Sequence, residues 1–205
     1  MAGSKKRKLK LHQKLAKHPS RKKPNVPKSF FLRPWVPPPS TFQGKLENED
    51  HYKYKVFLGE TIRDRLPYLE TIQYDYQSLP DFFHARYNRF LSYLPDIFIK
   101  YVEDKYKTVY VADIEANGLI HYKNRGQILK NKERKDHIYS FLQNYKEKGK
   151  EDYKTIASYM VFDIDDFELL SINEIFHTFK DTFFNGGIYP KDFDAFLNNY
   201  LKGLH

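Results

Sequence analysis

The sequence has no cysteine among its 205 residues, which excludes disulfide bonds and thiolate metal sites. It has no run of apolar residues close to the roughly 18 needed to span a membrane. The charged N-terminus is not followed by an apolar segment, so a secretory signal is not expected. Gly-rich phosphate loops and a Gly-x-Ser-x-Gly motif are also absent. We therefore expect a cytoplasmic protein without a membrane span, a bound metal or a cofactor.

The first 46 positions contain no Asp or Glu, and the first acidic residue of the chain is Glu47. Thirteen of the 35 Lys and Arg residues lie in this segment, which gives it a charge of +13. Residues 47–205 contain the other 22 basic residues and all 26 acidic ones, so this part carries a charge of −4. A basic tail on an acidic body is typical of nucleic-acid-binding proteins. The sequence predicts a disordered, basic, Pro-rich arm over residues 1–46 and an aromatic-rich domain over 47–205, with a possible subdivision near 107–126.

The arm is predicted to bind the phosphates of nucleic acid without sequence specificity. Such contacts release counterions, so the affinity should fall steeply with salt. A solubilising tail or a localisation signal is the alternative, and RNA is an alternative ligand to DNA. The residues predicted to contact phosphates are Lys5, Lys6, Arg7, Lys8, Lys10, Lys14, Lys17, Arg21, Lys22 and Lys23.

The body is predicted to be mainly α, a helical bundle-like domain with at most one small β-hairpin near residues 108–122. Ser78 begins one predicted helix, whose apolar stripe is Phe83, Tyr87, Phe90, Leu91 and Leu94. Further helices are predicted to begin at Pro95-Asp96, to cover 127–146, to begin at Ser171 with Glu174 in a capping box, and to begin at Pro190. Residues 108–112 form the best strand candidate because they are β-branched or aromatic.

Asp113 and Glu115 follow this strand candidate at alternate positions, so both carboxylates are predicted to lie on one face. Paired carboxylates suit two-metal phosphoryl chemistry. The stretch Val109 to Leu119 resembles the first motif of the proofreading 3′–5′ exonucleases, in which such an Asp-x-Glu holds divalent metal. Asp163, Asp165 and Asp166 are further possible ligands. Only 90 residues follow Glu115, however, and they are predicted to be helical, so an exonuclease is the minor alternative.

The charge layout and three short motifs resemble another family, the terminal proteins of small tailed phages with protein-primed linear DNA genomes. The motifs are Leu94-Pro95-Asp96-x-Phe98, Asp113-x-Glu115-x-Asn117 and Ile138-Tyr139-x-Phe141-Leu142-x-x-Tyr145. A second stretch, from Asp165-Asp166-Phe167 through Glu174-Ile175 to Asn185-Gly186, fits the same pattern. The resemblance implies sequence-non-specific DNA binding, a helical priming domain and a cognate DNA polymerase as partner. It also implies a covalent link to the 5′ DNA ends, at the genome ends in the host cytoplasm and in the virion.

The resemblance implies that a Ser, Thr or Tyr hydroxyl accepts the first nucleotide. When the three motifs from Leu94 to Tyr145 are aligned with that family, the position expected to carry the hydroxyl is Ile114, so Thr108, Tyr110 or Tyr122 would have to act instead. In the second alignment Thr182 lies close to the expected loop. A primer is a substrate of its polymerase, whose metals activate the hydroxyl. We therefore expect no catalytic residues and no enzyme activity.

A ribosomal or ribosome-assembly RNA-binding protein is the main competing interpretation, since many of these join a basic, Pro-containing tail to a small body. The acidic body argues against it, because proteins that bind ribosomal RNA are usually basic throughout. The sequence also lacks an aromatic RNA-binding motif.

Overall fold

The computed structural model describes residues 49–69, 71–74, 82–84, 89–91, 94–117, 125–163 and 170–203. The predicted basic arm, including its ten phosphate-binding candidates, lies outside these residues. The same holds for Tyr122, Asp165 and Asp166.

The described elements follow one another as helix α1 (Glu49–Arg65), strands β1 (Thr71–Tyr74), β2 (Phe82–His84), β3 (Arg89–Leu91), β4 (Ile97–Glu103) and β5 (Thr108–Asn117), helix α2 (Arg125–Gln143), strand β6 (Lys154–Asp163), helix α3 (Ile172–Asn185), strand β7 (Gly187–Tyr189) and helix α4 (Phe193–Gly203). A short 3-10 helix, Asp104–Tyr106, connects β4 to β5.

Five of the strands form a mixed sheet in the order β1-β4-β5-β6-β7. Strands β1, β4 and β5 are antiparallel neighbours, whereas β5, β6 and β7 run parallel. Strands β2 and β3 pair separately as an antiparallel hairpin. The body is therefore an α/β domain.

Apolar residues cover both faces of the sheet. On one face Ile97, Ile99 and Ile114 pack against α1 and α3, whose buried side chains include Leu58 and Phe179. On the other face, Phe98, Val111 and Tyr159 pack against α2 and α4, which contribute Ile138, Leu142, Phe193 and Leu197. Strands buried on both faces read as continuous apolar runs rather than as alternating ones. This explains the sequence of β6, which is buried from Ala157 to Phe162.

The prediction of a mainly helical bundle is wrong, because a five-stranded mixed sheet forms the centre of the domain. Pro95-Asp96 precedes strand β4 and does not begin a helix. The helix predicted from Ser78 is contradicted where it is described: Phe83 and Phe90 are partners in the β2–β3 hairpin. Two aromatic residues seven positions apart share a helix face after two turns, but they can equally face each other across a hairpin.

Several local predictions are confirmed. The predicted strand at 108–112 exists and extends to Asn117. The helix predicted over 127–146 spans Arg125–Gln143. The Ser171 side chain accepts a hydrogen bond from the Glu174 amide, and the Glu174 carboxylate accepts one from the Ser171 amide, which completes the predicted capping box of α3. The last helix follows Pro190, as predicted. Of the described helices, none is long and apolar enough to cross a membrane.

Candidate functional site at the acidic end of the sheet

Three acidic residues lie near one another in the register of the sheet, at the end where the parallel strands β5 and β6 finish. Asp113 and Glu115 lie two residues apart in β5, so their side chains share the face that packs on α2. Strand β4 runs antiparallel to β5 and its register pairs Ile97 with Ile114, so Asp96, which directly precedes β4, lies beside Glu115. We call Asp96, Asp113 and Glu115 the acidic end of the sheet. Ligands of open α/β sheets commonly bind at the carboxyl ends of parallel strands.

All three carboxylates are withdrawn from solvent. Asp113 is fully buried, Glu115 is 3% exposed and Asp96 is 9% exposed. Ionised groups in such surroundings need charged partners or hydrogen bonds, because burial alone costs several kcal/mol per ion. The helices that cover the sheet supply these partners.

Helix α1 contributes a histidine and a lysine to the site. His51 and Lys55 are four residues apart, so they project from the same side of the helix. The His51 Nε2 atom lies 3.2 Å from Asp96 Oδ2. Lys55 is almost completely buried, and its charge acts on Asp96. Asp96 Oδ2 also accepts a hydrogen bond of 2.8 Å from the Ala116 amide.

These contacts keep Asp96 ionised. Burial by itself would raise the pKa of Asp96, but the hydrogen bond and charge of His51, the charge of Lys55 and the Ala116 bond together bring that pKa below its usual value. The carboxylate is therefore an anion at neutral pH despite its burial.

Helix α2 supplies the counter-ion of Glu115. The Arg134 Nη2 atom lies 2.9 Å from Glu115 Oε2, and the two side chains are only 9% and 4% exposed. The other carboxylate oxygen, Oε1, accepts a bond of 3.4 Å from the Asp96 amide. Both oxygens of Glu115 are thus engaged by the protein itself.

Tyr159 completes the site on the same face. Its register partner in β5 is Asp113, and its buried hydroxyl lies next to the Arg134 side chain. Burial raises the pKa of Tyr159 far above its ordinary value; the Arg134 charge opposes this rise, whereas those of Glu115 and Asp113 add to it. The hydroxyl therefore stays protonated and lies within the field of these three charges.

Asp163, one of the additional acids considered from the sequence, ends β6 as the register partner of Asn117 and lies at the same end of the sheet. Even so, no group of three or more His, Asp or Glu side chains in the described residues is arranged to hold a metal ion. The protein's own side chains engage Asp96 and Glu115. The shared face of Asp113 and Glu115 is confirmed, whereas metal binding by them stays a hypothesis.

Three of the four hydroxyls predicted to prime replication belong to described residues, and these three lie away from the acidic end. Thr182 is half-buried within α3, where its hydroxyl donates to the Thr178 carbonyl and its own carbonyl accepts from Ser158. Tyr110 is half-buried, stacks on Tyr101 and donates to Glu103. Thr108 is buried and donates to the Tyr106 carbonyl. These three candidates do not share one site, and the choice of a priming residue stays a prediction.

Sequence reasoning missed Asp96, His51, Lys55 and Arg134 as parts of one site. The β-branched and aromatic residues of Ile97–Glu103 signalled a strand after Asp96, which would have placed this acid at a strand end. The spacing of His51 and Lys55 signalled a shared helix face. Nothing local distinguishes Arg134 from the charged residues around it, since only the packing of α2 on β5 selects it.

No protein-family model matches the chain, and the searches of curated proteins and of solved structures found no significant similarity.

Proposed function

We propose that this protein binds nucleic acid through its basic N-terminal residues and hydrolyses phosphodiester bonds at the acidic end of the sheet, with divalent cations as cofactors. The observation that carries this proposal is that Asp113 and Glu115 are buried on one face of β5 and Asp96 is the cross-strand neighbour of Glu115, at the end of the sheet where α/β proteins bind ligands. Clusters of buried ionisable groups are often found at functional sites.

The chemistry of the surrounding residues supports the same class of substrate. Carboxylate oxygens are the ligands that Mg²⁺ and Mn²⁺ favour in phosphoryl-transfer sites. Arg134 and Lys55 place two cationic side chains beside the carboxylates, and side chains of this kind bind phosphate. The net charge of +13 over residues 1–46 supplies non-specific attraction to the same polyanion. This proposal is for a nuclease, whereas the sequence alone led us to expect no enzyme activity, and the cleavage assay below decides between the two.

The experiment is a cleavage assay on labelled single- and double-stranded DNA and RNA in Mg²⁺ or Mn²⁺, with EDTA as the negative control. The informative variant is Asp113→Asn, which keeps the shape of the side chain and removes its charge. Its matched control is Asp152→Asn, since Asp152 is exposed and pairs with Lys107 at the opposite end of the strands. Cleavage by the native protein and Asp152→Asn, but not by Asp113→Asn, supports the proposal.

Protein-primed DNA replication is our second proposal, and the charge asymmetry favours it. An acidic body suits the phosphate-binding channel of a DNA polymerase, and a basic arm suits DNA. The α/β fold differs from the helical priming domain that the resemblance implied. Mass spectrometry of the natively expressed protein after exhaustive nuclease digestion tests it. A nucleotide on one Ser, Thr or Tyr supports priming, whereas an unmodified mass in all DNA-bound fractions contradicts it.

A further inference from the structure

Three tyrosine rings form a row on the face of the sheet that packs against α1 and α3. Tyr101 in β4 and Tyr110 in β5 are register partners, and their rings stack with centroids 5.9 Å apart. Tyr68, which follows α1, meets Tyr101 edge-on at 5.4 Å and is 47% exposed. Since Tyr101 and Tyr110 are only half-buried, the row keeps contact with solvent. We call Tyr68, Tyr101 and Tyr110 the tyrosine row.

One carboxylate borders the tyrosine row. The Tyr110 hydroxyl donates a hydrogen bond of 3.4 Å to Glu103 Oε2, and within the described residues Glu103 has no ion-pair partner. Burial raises the pKa of Tyr110, and the Glu103 charge and hydrogen bond raise it further. Burial, Tyr101 and Glu103 raise the pKa of Tyr68 in the same way. The row and Glu103 therefore form an electronegative surface.

A flat cation fits this combination of rings and carboxylate. The face of a tyrosine ring attracts a guanidinium or ammonium group, and the carboxylate adds a charge-assisted hydrogen bond. A nucleobase would also stack on a tyrosine ring, but its phosphates would be repelled by the charge of Glu103. The surface therefore suits an arginine or lysine side chain better than it suits nucleic acid.

The chain carries cations of this kind outside its described residues. Residues 1–46 hold thirteen Lys and Arg residues and no acid. Among these cations, only Arg33 has an aromatic residue within two positions on each side, namely Phe31 and Trp35. Arginine stacks on aromatic faces more readily than lysine does, and the apolar neighbours match an aromatic surface. Arg33 is therefore the cation whose sequence context fits the tyrosine row best.

The chain is long enough to bring Arg33 to the tyrosine row of the same molecule. Helix α1 begins at Glu49, near the acidic end, where His51 meets Asp96. The helix has 17 residues and is about 25 Å long, and Tyr68 follows its last turn. The chain from Arg33 to Glu49 can span roughly 50 Å when extended. This reach is about twice the length of the helix.

We propose that Arg33 docks on the tyrosine row of its own chain, with its guanidinium over a tyrosine ring and paired with Glu103. The charges of +13 on residues 1–46 and −4 on residues 47–205 favour the same contact. The contact goes beyond the proposed function and does not depend on it. It attaches the basic arm near the ends of β4 and β5 that lie away from the acidic end, and it leaves Lys5 to Lys23 for phosphates.

The single tryptophan of the chain, Trp35, lies two residues from Arg33 and reports the docking in the full-length protein. We expect blue-shifted Trp35 emission and weak quenching by acrylamide in the native protein. Glu103→Gln keeps the shape of the side chain and removes its charge, and Arg33→Gln removes the cation. Each substitution should shift the emission to longer wavelength and increase the quenching.

Two matched controls separate docking from general charge effects. Glu151 is an exposed acid whose carboxylate accepts a hydrogen bond from the Gly149 amide, and Arg21 is another arginine of the arm. Glu151→Gln and Arg21→Gln should leave the Trp35 emission and quenching as they are in the native protein. None of the four substitutions removes a buried side chain of the described core, so far-UV circular dichroism should show the same folded body in all of them.

A double-mutant cycle tests whether Arg33 and Glu103 act on each other. The quenching data give the ratio of docked to undocked segment for the native protein, Arg33→Gln, Glu103→Gln and the double variant. The coupling should change this ratio by roughly threefold to tenfold, the scale of a cation held on an aromatic ring. Arg33→Lys keeps the charge and should retain part of the docking.

Trp35 emission and quenching in the native protein equal to those of free tryptophan amide would overturn the proposal, as would equal values for the native protein and Glu103→Gln. Emission that depends on protein concentration would assign the contact to a second copy of the chain and overturn docking within one chain. Weaker oligonucleotide binding by Tyr68→Leu with unchanged Trp35 emission would assign the row to nucleobases instead. All of these outcomes leave the proposed cleavage at the acidic end untouched.

Discussion

The two ends of strands β4 and β5 carry ion pairs of similar composition in opposite environments. At the acidic end, Arg134 and Glu115 pair at 9% and 4% side-chain exposure. At the other end, Lys107 and Asp152 pair at 65% and 62% exposure, and Lys150 contacts Asp104 beside the Tyr153 hydroxyl. We call this second group the turn end of the sheet.

The comparison separates charges that serve solubility from charges that need another explanation. Exposed pairs such as those of the turn end gain little, because water screens the attraction and side-chain entropy opposes it. Buried pairs seldom improve on apolar residues of the same volume, because desolvation offsets the attraction. The acidic end therefore contributes little net stability for the charges it buries, which is why we interpret it as a functional site.

The two ends should differ most in how much the free energy of unfolding falls when one cationic side chain is removed. Arg134→Met leaves Glu115 buried without its counter-ion and should destabilise the metal-free fold by about 3–5 kcal/mol. Lys107→Met should leave the stability unchanged within error, because its partner Asp152 is already hydrated. Urea unfolding in the presence of EDTA measures both. Equal effects of the two substitutions would remove the distinction between the ends.

The next largest effect is expected from Asp96, whose contribution to stability should depend on pH. Its pKa in the folded protein is lower than usual, so its ionised form stabilises the fold above the unfolded pKa of about 3.9, and this contribution is lost as pH falls through the folded value. The stability difference between the native protein and Asp96→Asn should therefore be largest near neutral pH and shrink below about pH 4.

Urea midpoints measured from pH 7 to pH 2.5 provide the test. His51, Lys55 and Glu115 face Asp96, and Asp96→Asn removes the partner of His51, so the difference reports the Asp96–His51 pair rather than the carboxylate alone. A difference that stays constant down to the lowest pH would contradict an ionised, stabilising Asp96.

The smallest expected effect is the coupling between Lys107 and Asp152. Each of the two pKa values is shifted by the hydrogen bond to the other, that of Lys107 upward and that of Asp152 downward. The pair is nevertheless exposed, so its coupling in a double-mutant cycle should vanish as NaCl is raised to about 1 M, where the Debye length is roughly 3 Å. Coupling that persists in high salt would show that the turn end is more protected than its exposure indicates.

Part of the acidic end could be predicted from the sequence. The alternation of Asp113 and Glu115 in an otherwise apolar strand placed both acids on one face, and β5 bears this out. Local signals also gave the capping box at Ser171 and the approximate bounds of α2. Each of these depends on residues within a few positions of one another.

The rest depended on pairing between distant segments. Strand β6 is apolar on both faces, and its composition alone does not separate a buried strand from a buried helix. Asp96 follows Pro95 in a pattern typical of a helix start, and only the pairing of β4 with β5 brings it to Glu115. Arg134 and Glu115 are linked by the packing of α2 on the sheet, which no short motif records.

The most direct test of the account is metal-dependent cleavage by three proteins in parallel: the native chain, Asp113→Asn and Asp152→Asn. We predict that the native chain and Asp152→Asn cleave nucleic acid at similar rates in Mg²⁺ or Mn²⁺. The cleavage rate of Asp113→Asn should be lower by about a thousandfold or more, which is the scale typical of a removed catalytic group. Absence of cleavage by the native chain on every substrate, or full activity of Asp113→Asn, would contradict the assignment of the acidic end as a phosphodiesterase site.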